Sequence, residues 1–162
     1  MVQAAEQFEQ QLETWYAGLP PLIHFSEDLP AEELPYHVRG RVLEIRRFIY
    51  APFLRHAIHA PPDDPYRETV RPFVDKALAC SFLSIRGEPK RHRHHGTWYN
   101  IRNVAVCCLF IIGAARSGTI PLGGDWKEPV RSAVKRMRYW VREGPGVGRC
   151  IEVIESYLDD TG

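Results

Sequence analysis

The chain has 162 residues, 44% of them hydrophobic and 25% charged, and its 21 Lys and Arg against 20 Asp and Glu leave a formal charge of +1. That length and composition suit one globular domain spanning 1–162 with a real core. The balanced charge excludes a global electrostatic drive toward nucleic acid or anionic lipid.

The N-terminal MVQAAEQFEQQLETW is polar and amphipathic, without the continuous apolar core of a secretory signal, so the protein is expected inside the cell. Phe8, Leu12, Trp15, Tyr16 and Leu19 form a first helical stripe, ended by Gly18 and the Pro20–Pro21 pair. An acidic turn at Ala31, Glu32 and Glu33 then leads into Leu34, Val38, Val42, Ile45, Ile49 and Phe53, a long second helix with a kink expected near Phe48 to Pro52. Its arginines, Arg39, Arg41, Arg46, Arg47 and Arg55, read as a solvated basic face.

HAPPDDP breaks the chain, with Asp64 as cap and Pro65 at the first helical position. The third helix runs to about Ile85, with Val70, Phe73, Val74, Ala77 and Ile85 inward. Next comes a basic, histidine-rich stretch joined directly to an apolar helix, RHRHHGTWYNIRNVAVCCLFIIGAARSG. Gly96 and Thr97 break and cap, and Trp98 opens the helix. From Val104 to Ala115 every residue is apolar or glycine, which predicts a fully buried central helix. The run is shorter than the about 18 apolar residues of a membrane span, so no membrane partner is expected.

Gly118 ends this helix, and Asp125 with Glu128 suits a capping box for a fifth helix carrying Val130, Val134, Met137 and Val141. Arg131, Lys135, Arg136, Arg138 and Arg142 make its basic face. GPGVG separates it from a last stripe, Val147, Ile151, Ile154 and Leu158. The fold expected is all-α, a single orthogonal or irregular bundle of five to six helices around a buried central one. Cys80, Cys107, Cys108 and Cys150 lie in apolar helical segments without C-x-x-C spacing and read as buried reduced thiols.

Four stretches, LETWYAGLPPLIHF, RVLEIRRFIYAPFL, HRHHGTWYNIRNVAVCCLFIIGAARSG and DWKEPVRSAVKRMRYW, stand in that order and cover most of Leu12 to Leu158. With them the sequence resembles the C-terminal part of the regulatory domain of fungal zinc-cluster transcription factors, the family with a fungal-specific transcription factor domain. HHGTW before an apolar helix and the IYAPFL element carry most of the likeness. The resemblance implies an all-α regulatory module of a nuclear transcription regulator, often one controlling metabolism or secondary-metabolite genes. The six closely spaced cysteines and basic linker of the family's zinc cluster are not in this sequence, so the family's DNA binding does not carry over. The chain is expected to be a fragment of a longer regulator or a truncated free-standing relative.

The functional candidates cluster at the start of the central helix. His92, His94 and His95 are imidazoles without a nearby cysteine, and Glu88 is their one local carboxylate, so capping or packing is favoured over metal. Arg91, Arg93, His94 and His95 lie beside the positive end of a helix, with Trp98 and Arg102 one turn apart on one side. His94, His95, Trp98 and Arg102 are therefore the candidate ligand or anion pocket. No Ser-His-Asp set, phosphate-cradling glycine loop or H-E-x-x-H motif occurs. The expectation is a non-enzymatic effector-response module with no cofactor and no direct nucleic-acid contact. Its partners would be a small-molecule effector and a protein, including a second copy of the chain. The alternative is a free-standing small-molecule binder or enzyme of a fungal biosynthetic pathway, with a histidine as acid or base.

Overall fold

Across the described residues, 1–25, 30–87 and 96–160, the computed structural model contains six α-helices, two 3-10 turns and no strand. These are α1 (Val2–Ala17), α2 (Glu33–His59), α3 (Arg67–Arg86), α4 (Gly96–Ser117), α5 (Lys127–Met137) and α6 (Pro145–Asp159). The stops fall at helix breakers. Gly18 gives its N–H to the carbonyls of Thr14 and Trp15, and Gly118 leaves α4 at φ +64°, where a side chain would be strained. Asp125 Oδ1 accepts the N–H groups of Lys127 at 3.1 Å and Glu128 at 3.3 Å, which caps α5. α3 begins at Arg67, past Pro65, and Asp64 instead pairs with the His56 ring at 2.8 Å. α2 continues without a break through Pro52.

Side-chain pairings fix the directions. Glu13 to Arg46 and Glu9 to Tyr50 run α1 against α2. The stacked Phe53 and Phe73 lock α2 to the returning α3, their ring centroids 4.3 Å apart. Arg47 meets Asn103 and Ile58 lies by Gly113, so α4 runs with α2. Trp98 lies by Gly144 and Arg116 by Asp160, so α6 runs with α4. α4 touches α2, α3, α5 and α6 and is the centre of the bundle. Its buried Cys107, Cys108, Ile111 and Ile112 meet a core that includes Phe53, Leu54, Val74, Trp140 and Ile154.

Four stripes differ from the sequence expectation. In α1 the inward line is Val2, Ala5, Glu9, Leu12 and Tyr16, while Phe8 and Trp15 face solvent at 58% and 48% exposure. A carboxylate takes the inner position because Tyr50 and Lys76 satisfy it there. In α2, Leu34 and Ile45 are exposed, and the expected solvated basic face sends Arg39 and Arg47 inward. In α4, Val106 and Leu109 are exposed, so the helix is central without being fully buried. After α5 the chain tightens into a 3-10 turn at Arg138–Trp140, which turns Trp140 into the core and Val141 outward.

By length and composition α4, with mean hydropathy 1.4, is long and apolar enough to cross a membrane. The core helix of a bundle meets the same requirement, and α4 packs on four neighbours.

Candidate functional site

The first half of α2 reads YHVRGRVLE, and helical spacing puts Tyr36, Gly40 and Glu44 on one face, flanked by His37 and Arg41. That face looks onto the first two turns of α4 and the last turn of α5. These helices, with the end of α3 at Ser84 and Gly87, border a cavity of about 160 Å³. Leu43, Ile101, Val104, Ala133, Met137 and Trp140 give it apolar walls, and Arg39, Arg41, Glu44, Asn100, Asn103 and Arg136 line it with polar groups.

Among the described residues, three guanidinium groups and one carboxylate line the cavity. Arg39 is only 6% exposed, and burial pulls its pKa down against a smaller opposing effect from Tyr36. It remains charged, because arginine starts so high. Arg136 is aimed by two acceptors, Ser132 Oγ at 2.8 Å and the Ile85 carbonyl at the end of α3. Glu44 accepts from Arg41 Nη1 at 3.1 Å, and the same guanidinium covers the Tyr99 ring. Arg47 Nη2 donates to Asn103 Oδ1 at 2.7 Å behind the wall. The start of α4, Gly96 and Thr97, lines the cavity as well, and a helix N-terminus adds partial positive charge.

Gly40 lies within a 27-residue helix, where glycine costs roughly 1 kcal/mol relative to alanine. A Cβ there would meet nothing within 4 Å, so no neighbour demands the glycine. Gly40 is exposed and belongs to the lining, so it stands where the cavity meets solvent.

His94 and His95, together with Arg91, His92 and Arg93, lie outside the described residues. Trp98 and Arg102 do share one side of α4, but neither lines the cavity. Trp98 packs on Gly144 at the start of α6, and Arg102 is exposed. The cavity uses the neighbouring face, through Thr97, Asn100, Ile101 and Val104. Sequence reasoning missed Arg39, Glu44 and Arg136, because the charge pattern of α2 and α5 looks like ordinary surface. The available signal was Gly40, a lone glycine inside a helical pattern.

A second polar cluster lies between α1, α2 and α3. The buried Tyr50 hydroxyl donates to Glu9 Oε1 at 2.6 Å, and Lys76 Nζ reaches both Glu9 oxygens at 2.7 and 2.8 Å. Burial pushes the Glu9 pKa up, but these hydrogen bonds and the charge of Lys76 outweigh it, and the net direction is below the ordinary value. Burial likewise raises the thiols, Cys80 and Cys107 to about 11 and Cys108 to about 12. Those three are buried and all four cysteines are free. The buried Cys80, Cys107 and Cys108 offer no thiolate nucleophile at neutral pH.

In comparisons with known proteins, no family model, curated protein or solved structure matches the chain.

Proposed function

We propose that this chain is a non-enzymatic effector-response module, the ligand-sensing portion of a transcription regulator of the fungal zinc-cluster kind, acting in the nucleus. The family part of this reading rests on the four stretches quoted above. The sensing part rests on one observation, the cavity between α2, α4 and α5 with buried Arg39 in its wall and Gly40 at its mouth. Its three walls belong to separate helices, so an occupant favours the arrangement that closes on it, and differential affinity of this kind shifts a conformational equilibrium.

The chemistry of the lining supports binding over turnover. Glu44 is engaged by Arg41, and the Ser84 hydroxyl donates to the Cys80 carbonyl at 2.8 Å. Both groups are committed to structure, and the arginines donate hydrogen bonds without acting as bases; His37, an imidazole of the described lining, is the group through which the biosynthetic alternative would act.

The test is a reporter assay with residues 1–162 fused to a heterologous DNA-binding domain in a fungal host. Output is expected to change with the supply of small metabolites of the host, and Gly40→Phe, which places a large side chain at the cavity, is expected to fix it at one level. A folded Gly40→Phe protein whose reporter still responds like the parent contradicts the reading. Steady consumption of a candidate effector by the purified chain would favour the biosynthetic alternative.

A further inference from the structure

We infer that a second copy of this chain packs on the face formed by α2, α4 and α6, reversed about a two-fold axis that crosses the helices at Leu109. This face owes nothing to the effector reading. The cavity uses Asn100 and Val104 of α4, whereas Arg102, Val106 and Leu109 lie about half a turn round the helix from them.

The apolar part of the face centres on α4. Arg102, Val106, Leu109 and Gly113 recur at spacings of 4, 3 and 4, which keeps them on one side of the helix. α2 and α6 flank that line. The Arg47 guanidinium lies 4.8 Å from the Phe48 ring and 5.8 Å from the Phe110 ring, which places Phe48 along one edge. Arg116 lies 5.2 Å from the Tyr157 ring and 3.4 Å from Asp160, which places Val153 and Tyr157, one turn apart on α6, along the other. Phe48 is 60% exposed, and Val106, Leu109, Val153 and Tyr157 are between 36% and 41% exposed. Large apolar side chains gathered in this way on one surface mark a place of contact.

The dimensions suit a partner as broad as the chain itself. The 22 residues of α4 span about 33 Å at 1.5 Å per residue. Three helices set about 8–10 Å apart make a face about 25 Å wide. Such a face is close to the roughly 800 Å² per partner of a standard stable interface.

Charge selects the occupant. Arg149 and Asp160 are exposed on one side of α6, about three turns apart, with Val153 and Tyr157 between them. Trp98 lies by Gly144 and Arg116 by Asp160, so Leu109 stands level with the middle of that stretch. A two-fold axis across the helices at this level brings Arg149 opposite the partner's Asp160, and Asp160 opposite the partner's Arg149. Each Asp160 then sits between Arg116 of its own chain and the partner's Arg149, a small network rather than an isolated surface pair. A face that is basic at one end and acidic at the other complements itself when reversed. An anionic lipid surface would attract Arg149 and repel Asp160.

The experiment is sedimentation equilibrium on residues 1–162. Dimer is expected at a chain concentration of about 100 µM. Leu109→Arg places two like charges at the axis and is expected to weaken the dimer at least about 100-fold, since the contact is lost twice. Circular dichroism is expected to show its helices intact. Arg149→Glu and Asp160→Lys are each expected to weaken self-association about tenfold, and an equimolar mixture of the two is expected to recover the parent affinity as a mixed dimer, where each reversed charge finds its opposite. A chain that stays monomeric at about 100 µM, or a dimer undisturbed by Leu109→Arg, overturns the inference. A mixture that associates no better than either variant alone overturns the reversed arrangement. Monomers that co-sediment with vesicles of phosphatidylcholine and phosphatidylglycerol would make lipid the occupant and overturn it as well. The effector reading is judged separately, by the reporter.

Discussion

The molecule places charge between its helices at two sites and treats it differently. Between α1, α2 and α3, Glu9 is enclosed by Tyr50 and Lys76 at 2.6 to 2.8 Å, and its charge is spent on joining helices. Between α2, α4 and α5, Arg39 and Arg136 line about 160 Å³ of space. A buried polar group closed by its partners is a structural tie. Charged groups around an open amphipathic space are the arrangement that the proposed effector site uses. The difference separates a contact that ties helices from a space that the proposed function fills.

The largest effects belong to the tie and to the packing beside the cavity. Glu9→Ala leaves the buried Tyr50 hydroxyl without its acceptor and is expected to cost about 1–3 kcal/mol in urea unfolding. Because the folded pKa of Glu9 lies below the ordinary 4.5, its contribution is complete above that pH and is lost as pH falls through the folded value. The stability gap between the parent and Glu9→Gln is therefore expected to close in acid. A gap independent of pH would mean that the carboxylate does not hold α1. Gly144→Ala would drive a Cβ into the Trp98 ring and is expected to cost about 1–3 kcal/mol, with a shift in tryptophan fluorescence. Ligand binding should survive it, since Trp98 lies outside the cavity.

Smaller effects sharpen the contrast from the cavity side. Gly40→Ala is expected to raise stability by about 0.5–1 kcal/mol, because a helix interior prefers alanine and nothing stands in the way. A loss of stability there would mean that the glycine serves the fold. The smallest effect is chemical: at pH 8 a thiol reagent should modify half-buried Cys150 well before Cys80, Cys107 and Cys108, whose pKa values stand at about 11 to 12.

Helix existence was legible in the sequence because periodicity and breakers agree. The α6 stripe of Val147, Ile151, Ile154 and Leu158 is buried as its spacing predicts, and Gly118 and Asp125 act where their chemistry suggests. The α1 face was not legible, since hydropathy puts Phe8 inside and Glu9 outside, whereas Lys76 and Tyr50 arrive from helices more than 30 residues away. The cavity was hidden for the same reason. Arg39 looks like surface until α4 and α5 cover it, and only Gly40 marked the place locally. Of the residues expected at the helix start, His94 and His95 lie outside the described residues, and the cavity lies on the face of α4 next to Trp98 and Arg102.

The most direct measurement is a set of crystal structures of the chain grown with bromobenzene, 4-bromobenzamide or 4-bromobenzoate, located by the anomalous signal of bromine. The account predicts one bromine between α2, α4 and α5, against Met137 and Trp140, with at least one of the three. Bromine bound only beside Trp98 and Arg102, or a cavity left empty at saturating ligand, would contradict it.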